Sequence, residues 1–165
     1  MRNKFLLWMI SAIFLILASG CSMAFEPDQN TVPGESILDE MEGPPKNGHT
    51  LERHVGKTIE ELKERLQTEN ITGASTYYTK ELATEAVLES LEFHDGLIKD
   101  WLGNSNRDRL VLHTEHSFAV GQTVLRKDMR VVKDVKQTTT VLAKDPDSEL
   151  KYKIITSYPN EKRGN

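Results

Sequence analysis

Cysteine is nearly absent from this sequence, since Cys21 is the only one among 165 residues. A single cysteine excludes an intramolecular disulfide, so the folded domain depends on its hydrophobic core alone. An apolar run that spans a bilayer comfortably as a helix takes about 20 residues, and the run Phe5–Ala18 is shorter than that. A phosphate-binding loop at Gly56-Lys57-Thr58 is also excluded, because leucine occupies position 51, where that motif needs glycine.

The first 20 residues have the layout of a secretory signal. Arg2 and Lys4 precede the apolar run, and small residues lie directly before Cys21. The segment Leu17–Cys21 (LASGC) resembles the lipobox of bacterial lipoproteins, in which the cysteine is diacylated and becomes the first residue after cleavage. We therefore expect an exported protein with residues 1–20 removed, anchored to a membrane of the cell envelope through a lipid on Cys21.

Charge is distributed unevenly along the chain. The net charge is −4, and removal of residues 1–20 brings it to about −6. Residues 22–121 contain 9 basic and 19 acidic side chains, whereas residues 122–165 contain 10 basic and 6 acidic ones. The C-terminal part would therefore meet a polyanion more readily than the rest, although a solvated lysine-rich sheet face explains the same pattern.

Proline and glycine are concentrated between Cys21 and residue 47, where hydrophobic periodicity is weak. This composition predicts a flexible tether over residues 21–47, with at most one helical turn around Ile37, Leu38 and Met41. One domain follows, over residues 48–165, and we expect it to be a monomer. Its length is sufficient for one hydrophobic core.

Helical periodicity precedes strand periodicity within the domain. Thr58 and Glu61 have the spacing of a capping box and predict an amphipathic helix over residues 57–67. Thr79 is a second candidate N-cap, for a helical pattern that breaks near residue 95 and continues to Leu102. Alternating patterns then predict strands at 109–113, 118–120, 123–126, 131–135, 138–143 and 150–158. Helices followed by antiparallel strands indicate an α+β fold with the helices on one side of the sheet.

Several polar side chains are candidates for chemistry. His54 precedes the first predicted helix and Arg65 lies two turns inside it. Strict alternation places Thr156 and Tyr158 on the same face of the last strand as Tyr152 and Ile154, a face that looks buried. Each of these residues, taken alone, also has an ordinary structural explanation.

Metal chemistry has little support in the sequence. His113 and His116 flank Glu115 in or beside a predicted strand, but no third ligand follows at a recognisable spacing. We therefore predict neither a metal site nor a cofactor.

Three segments together resemble a known family. The stretch His49–Thr58 (HTLERHVGKT), followed by Leu62 and the pair Arg65-Leu66, resembles the opening of the bacterial ribonuclease A-like toxin domain. That domain occurs at the C-termini of contact-dependent inhibition proteins and other polymorphic toxins. Residues 74–78 (ASTYY) look like the segment before its second helix, and residues 154–159 (IITSYP) are similar to its last strand.

The resemblance implies a disulfide-free α+β fold with a bent antiparallel sheet and cleavage of RNA without a metal. It implies catalytic roles for His54, Arg65, Thr156 and Tyr158. Lys57 is then a plausible phosphate contact. Pancreatic-type catalysis uses two histidines, and here the second is either His49 or missing.

The resemblance leads to a functional hypothesis with one alternative. The chain is expected to be an endoribonuclease that uses the RNA 2′-OH as nucleophile and acts as a surface-tethered antibacterial toxin. Its partners would be RNA, the membrane that holds the lipid and a cognate immunity protein. The alternative is a non-catalytic envelope lipoprotein that binds a partner through a toxin-like fold, which the acidic charge and the predicted lipid anchor favour.

Overall fold

A computed structural model describes residues 34–161. The predicted signal, the predicted lipidation site Cys21 and the first part of the predicted tether lie outside the described residues. None of the helices between residues 34 and 161 combines the length and the apolar character that crossing a membrane requires.

Residues 34–161 form five helices and six strands. The helices are α1 (Ile37–Met41), α2 (Thr50–His54), α3 (Ile59–Thr68), α4 (Lys80–Phe93) and α5 (Asp95–Asn104). The strands are β1 (Gly73–Tyr77), β2 (Arg109–Glu115), β3 (Gly121–Leu125), β4 (Val131–Val135), β5 (Gln137–Lys144) and β6 (Tyr152–Pro159). The predicted strand over residues 118–120 is wrong, since this segment is a connection and the strand begins at Gly121.

The strands form two three-stranded antiparallel sheets. One has the order β1-β3-β4 and the other the order β2-β5-β6. The hydroxyl groups of Tyr77 in β1 and Ser157 in β6 lie 2.7 Å apart and connect the two sheets in the interior. The predicted α+β class, with helices packed on antiparallel strands, is confirmed.

The larger hydrophobic core lies between helices α4 and α5 and the inner face of the β2-β5-β6 sheet. Val87, Leu91 and Trp101 contribute from the helices, and Leu112 and Leu142 from the strands. A smaller core lies under α3. There Leu62 and Leu66 pack against Ala74 of β1 and Val124 of β3, so the polar edge of α3 is held at a fixed position beside the sheets.

The N-terminal capping of the helices follows the sequence signals. Thr58 accepts a hydrogen bond from the Glu61 amide, and the Glu61 carboxylate accepts one from the Thr58 amide, which confirms the capping box. The side chain of Thr79 caps α4 by accepting a hydrogen bond from the Leu82 amide. The helical pattern is interrupted at His94, where α4 ends and α5 begins.

The prediction of a flexible tether up to residue 47 is wrong from Ile37 onward. Ile37, Leu38 and Met41 of α1 are 2 %, 1 % and 6 % exposed and belong to the larger core. The carboxylate of Glu42 accepts hydrogen bonds from the Leu51 and Glu52 amides at the start of α2. The ordered domain therefore begins before residue 48, and this N-terminal segment helps to position α2.

Candidate active site

Helix α2 is fixed against strand β6 by its first residues. The His49 amide donates to the Ile155 carbonyl at 3.0 Å, and the Thr50 hydroxyl accepts from the Ser157 amide at 2.9 Å. These contacts bring His54, the last residue of α2, against the C-terminal half of β6. The His54 ring is stacked on the Tyr158 ring, with centroids 5.2 Å apart and an interplanar angle of 30°.

The hydrogen bond of His54 defines which ring nitrogen carries the proton. Nδ1 lies 3.1 Å from the Ser75 carbonyl oxygen, which can only accept, so Nδ1 must donate. In the neutral ring, Nε2 then has a free lone pair. Burial, against the opposing effect of the Ser75 hydrogen bond and together with the positive charge of nearby Arg65, lowers the pKa of His54 to about 4. At neutral pH this histidine is therefore uncharged, and the lone pair of Nε2 is not protonated.

Arg65 is held between α2 and α3. One of its terminal nitrogens donates to the Arg53 carbonyl at 3.0 Å, and its Nε donates to the Glu69 carboxylate at 3.2 Å. The same carboxylate accepts from the Arg53 guanidinium at 2.5 Å. A guanidinium has five N–H donors in a planar fork. Arg65 therefore has donors left for a phosphate while Glu69 and the end of α2 fix its orientation.

A cleft of about 410 Å³ lies beside Arg65, between α2 and α3. Its basic lining residues are Arg53, Lys57 and Arg65, and Glu52, Glu61, Glu64 and Glu69 supply four carboxylates. Neither His54 nor Tyr158 lines it. A cavity with more acidic than basic side chains is a poor site for an RNA phosphate, so the cleft by itself does not define the candidate site.

A β-bulge in β6 changes the face on which the last candidates lie. Val141 of β5 pairs with Thr156 and Leu142 pairs with Ile154, so Ile155 has no partner in the ladder. The buried residues are Tyr152 and Ile154 before the bulge, and Ser157 and Pro159 after it. The prediction that Thr156 and Tyr158 share the buried face of Ile154 is therefore wrong.

The hydroxyl of Thr156 is buried and has no hydrogen-bond partner among the described residues. Its neighbour Ser157 differs, because the Ser157 hydroxyl is bonded to those of Tyr77 and Thr140 in the core. Buried hydroxyls nearly always have a partner. An orphaned one on the same side of β6 as Tyr158 suits a hydrogen bond to a bound ligand.

The structure brings some of the predicted site residues into direct contact and others only into proximity. His54 and Tyr158 touch, and Arg65 is near enough to lower the His54 pKa. Lys57 lines the cleft with Arg65, and its amide donates to the Thr76 hydroxyl. His49 begins α2 and also contributes to lowering the His54 pKa. The catalytic roles of these residues remain predictions.

Two residues of the site were missed by the sequence analysis, namely Arg53 and Glu69. Glu69 follows Arg65 by four residues, the spacing of an ion pair on a helix, and this signal was available. The contact of Arg53 with Glu69 joins residues 16 apart and has no local signature.

His116, one of the two histidines considered above as metal ligands, is held by hydrogen bonds within the protein. Both ring nitrogens of His116 are engaged, Nδ1 with the Glu89 carboxylate and Nε2 with the Thr138 hydroxyl.

Comparison with known proteins gives two matches. Residues 48–159 match the family model described as the bacterial CdiA-CT RNase A domain. The crystal structure of a CdiA-CT/CdiI complex from Y. kristensenii 33638 is similar, with 31 % sequence identity and a TM-score of 0.66 over 69 % of this chain and 100 % of that chain. A comparison with curated proteins gave no match.

The family match covers more than half of the chain, and it includes α2, α3 and β6, which carry the site. The solved relative has the same fold over its whole length. The chain therefore belongs to the family of bacterial CdiA-CT RNase A domains, and its domain is of the RNase toxin type.

Proposed function

We propose that this domain is a metal-independent endoribonuclease that cleaves RNA by attack of the 2′-OH on the adjacent phosphorus. The observation that supports it most strongly is the state of His54. Its ring is neutral at pH 7 and stacks on Tyr158, its Nδ1 donates to the Ser75 carbonyl, and Arg65 is near enough to lower its pKa. This leaves Nε2 to act as the base. A base of this kind suits RNA, because RNA supplies its own nucleophile.

In the first half of the reaction, His54 Nε2 takes the proton of the 2′-OH as this oxygen attacks phosphorus. The bond from phosphorus to the 5′-oxygen of the next nucleotide then breaks. The products are a 2′,3′-cyclic phosphate on one fragment and a 5′-OH on the other. The 2′-OH proton goes to His54, and the leaving 5′-oxygen takes a proton from a side chain or from water. The proposed step uses no metal ion, so activity should persist in a chelator.

Arg65 acts on the phosphate itself. Its remaining N–H donors bind the non-bridging oxygens, on which negative charge develops during attack. Because Glu69 and the Arg53 carbonyl already orient the guanidinium, little reorganisation is needed when the substrate binds. Lys57 adds a second positive charge beside Arg65.

The hydroxyl groups of β6 complete the site in this proposal. Thr156 donates to or accepts from the substrate with its unpaired hydroxyl. Tyr158, stacked on the base His54, donates a proton or hydrogen bond to the leaving 5′-oxygen. We assign His49 to substrate binding, since it lies at the opposite end of α2 from His54.

The experiment uses the purified chain, a single-stranded RNA oligomer and EDTA. The wild type should cleave, and His54→Ala should lose at least a hundredfold in kcat/KM, the usual size of a general-base contribution. His54→Asn is the matched control for folding, because its amide nitrogen can still donate to the Ser75 carbonyl, but it has no base and should be equally inactive. Substantial activity in His54→Asn would rule out His54 as the base.

The biological setting is a second part of the proposal. We propose that export and a lipid on Cys21 hold the domain at the cell envelope, supported by the lipobox-like segment Leu17–Cys21. Replacement of Cys21 by serine should then move the protein from the membrane to the soluble fraction. Recovery of both forms from the membrane would contradict the anchor.

A cognate inhibitor is also expected. The similar chain from Y. kristensenii was solved as a CdiA-CT/CdiI complex, and we propose that this domain has a CdiI-type immunity partner. Expression of residues 22–165 in the cytoplasm should be toxic, and coexpression of the partner should restore growth. Equal toxicity of the wild type and His54→Asn would show that RNA cleavage is not its cause.

A further inference from the structure

The pairing of β2, β5 and β6 extends the face that carries Thr156 and Tyr158 across the whole sheet. Residues directly opposite each other in antiparallel strands point to the same side. The register gives two rows on the side away from the core, Val111–Val141–Thr156 and His113–Thr139–Tyr158. We call these two rows the outer face. It runs from the site beside His54 on β6, across β5, to β2 at the opposite edge of the sheet.

The second row is connected by hydrogen bonds. The Thr139 hydroxyl is buried, accepts from the Asn160 side-chain amide at 3.3 Å and lies 3.2 Å from Nδ1 of His113. The hydroxyl proton of Thr139 needs an acceptor, and His113 Nδ1 is the one within reach. This assignment places the ring proton on Nε2. His113 is exposed, so it presents a hydrogen-bond donor to whatever lies on the outer face.

The first row contributes apolar surface. Val111 is 48 % exposed, although it lies in the middle of a strand. The same register shows that Val141 and then Thr156 lie beside it. The exposed Val111 offers a flat apolar contact on β2, and the orphaned hydroxyl of Thr156 lies two strands away on β6. These are the two kinds of group, apolar and polar, that unstacked nucleobases can use.

Charge at one end of the outer face favours a polyanion. The next row along the strands is Arg109–Ala143–Lys153. Within residues 34–161, neither Arg109 nor Lys153 has a carboxylate within ion-pair distance. The cleft between α2 and α3, by contrast, has four carboxylates. Two carboxylates lie near the outer face, since Glu115 follows His113 on the same side of β2 and Lys153 is near enough to Asp145 to lower its pKa. An RNA strand that reaches Arg65 therefore meets fewer carboxylates along the outer face than along that cleft.

We propose that the outer face binds the single-stranded RNA that flanks the scissile phosphate, an inference that rests on the proposed function. Adjacent strands are about 4.8 Å apart, so His113 lies about 10 Å from Tyr158, too far to touch the same phosphate. His113 therefore contacts a neighbouring nucleotide through Nε2–H. Successive rows along the β-strands are about 7 Å apart. Arg109 and Lys153, one row beyond Val111 and Thr156, therefore bind phosphates further along the RNA.

The test compares a long and a minimal substrate. The variants are His113→Ala and the double variant Arg109→Ala/Lys153→Ala, and the matched control is Lys133→Ala, an exposed lysine on β4 of the other sheet. With a single-stranded RNA oligomer, we expect kcat/KM to fall about tenfold for the double variant and severalfold for His113→Ala, mainly through KM. With a dinucleotide, which does not reach these residues, both should match the control.

A binding measurement complements the kinetics. In a His54→Ala background, affinity for the oligomer is measured at several salt concentrations. Loss of two phosphate contacts should make the slope of log K against log salt shallower by about 1.4, at about 0.7 per contact for single strands. The Lys133→Ala control should leave the slope unchanged.

The outcomes separate the two proposals. If the wild type cleaves neither substrate, the proposed function fails. If the wild type cleaves both substrates and the variants equal the control on the oligomer, the outer face does not bind RNA. Equal losses on the oligomer and the dinucleotide also overturn the inference, because these residues then act on the reacting nucleotide or on the fold.

Discussion

The buried, neutral state of His54 makes the stability of the domain sensitive to acid in a way that can be calculated. The pKa of this side chain falls from 6.5 in the unfolded chain to about 4 in the folded one. A difference of 2.5 in pKa corresponds to about 3 kcal/mol. Between these two values the unfolded chain binds a proton that the folded chain does not bind, so the free energy of unfolding decreases as the pH falls.

This contribution has a defined pH window. The stability associated with neutral His54 is fully present above about pH 6.5 and is lost progressively down to about pH 4. The perturbation that isolates it is His54→Asn, which does not titrate and keeps a donor for the Ser75 carbonyl. Carboxylates titrate in both proteins and cancel in the difference between them.

The assay is urea unfolding at pH values from 7.5 to 4. The wild type should lose about 3 kcal/mol more than His54→Asn over this range. Parallel stability curves for the two proteins would mean that folding leaves the pKa of His54 unchanged. The histidine could then be protonated under the assay conditions, and its assignment as a ready base would lose its physical basis.

The remaining predictions concern Arg65, its partner and helix α1. Arg65→Lys should lower kcat/KM at least tenfold, because an ammonium cannot bind Glu69 and a phosphate in the same planar geometry; an unchanged value in steady-state kinetics would show that only charge matters. Glu69→Gln should lower kcat about tenfold, because Arg65 loses the carboxylate that orients it. A faster enzyme would mean instead that Glu69 competes with the substrate phosphate for Arg65. Leu38→Ala should lower the free energy of unfolding, measured in urea, by about 2–5 kcal/mol, because Leu38 is buried. The control Phe93→Ala changes a side chain that is 76 % exposed and should lower it far less. Equal losses in the two variants would contradict a buried α1.

Features governed by local sequence were predictable. The capping box at Thr58 and Glu61 and the apolar spacing of Leu62 and Leu66 fix α3 within a few residues, because both depend on contacts three or four positions apart. These local rules also place Arg65 at the polar edge of the helix. The α+β class follows from the change of periodicity after Asn104 in the same way.

Features governed by distant contacts were not predictable. The bulge at Ile155 depends on the pairing of β6 with β5, and it reverses the alternation from which the face of Tyr158 was inferred. Helix α1 has a glycine- and proline-rich surrounding sequence, yet its apolar side chains are buried by elements that follow much later in the chain. The proximity of His54, Arg65 and Tyr158 comes from the assembled fold and was accessible beforehand only through the family resemblance.

In the proposed mechanism, the RNA 2′-OH is the nucleophile and His54 is its base. The most direct test of this mechanism is the chemistry of cleavage of a single-stranded RNA oligomer and of a copy with one 2′-deoxynucleotide at the cleaved position. A 2′-OH nucleophile should give a 2′,3′-cyclic phosphate and a 5′-OH from the first oligomer, and no cleavage at the substituted position of the second. Cleavage at the 2′-deoxynucleotide, or a product with a 5′-phosphate, would contradict it.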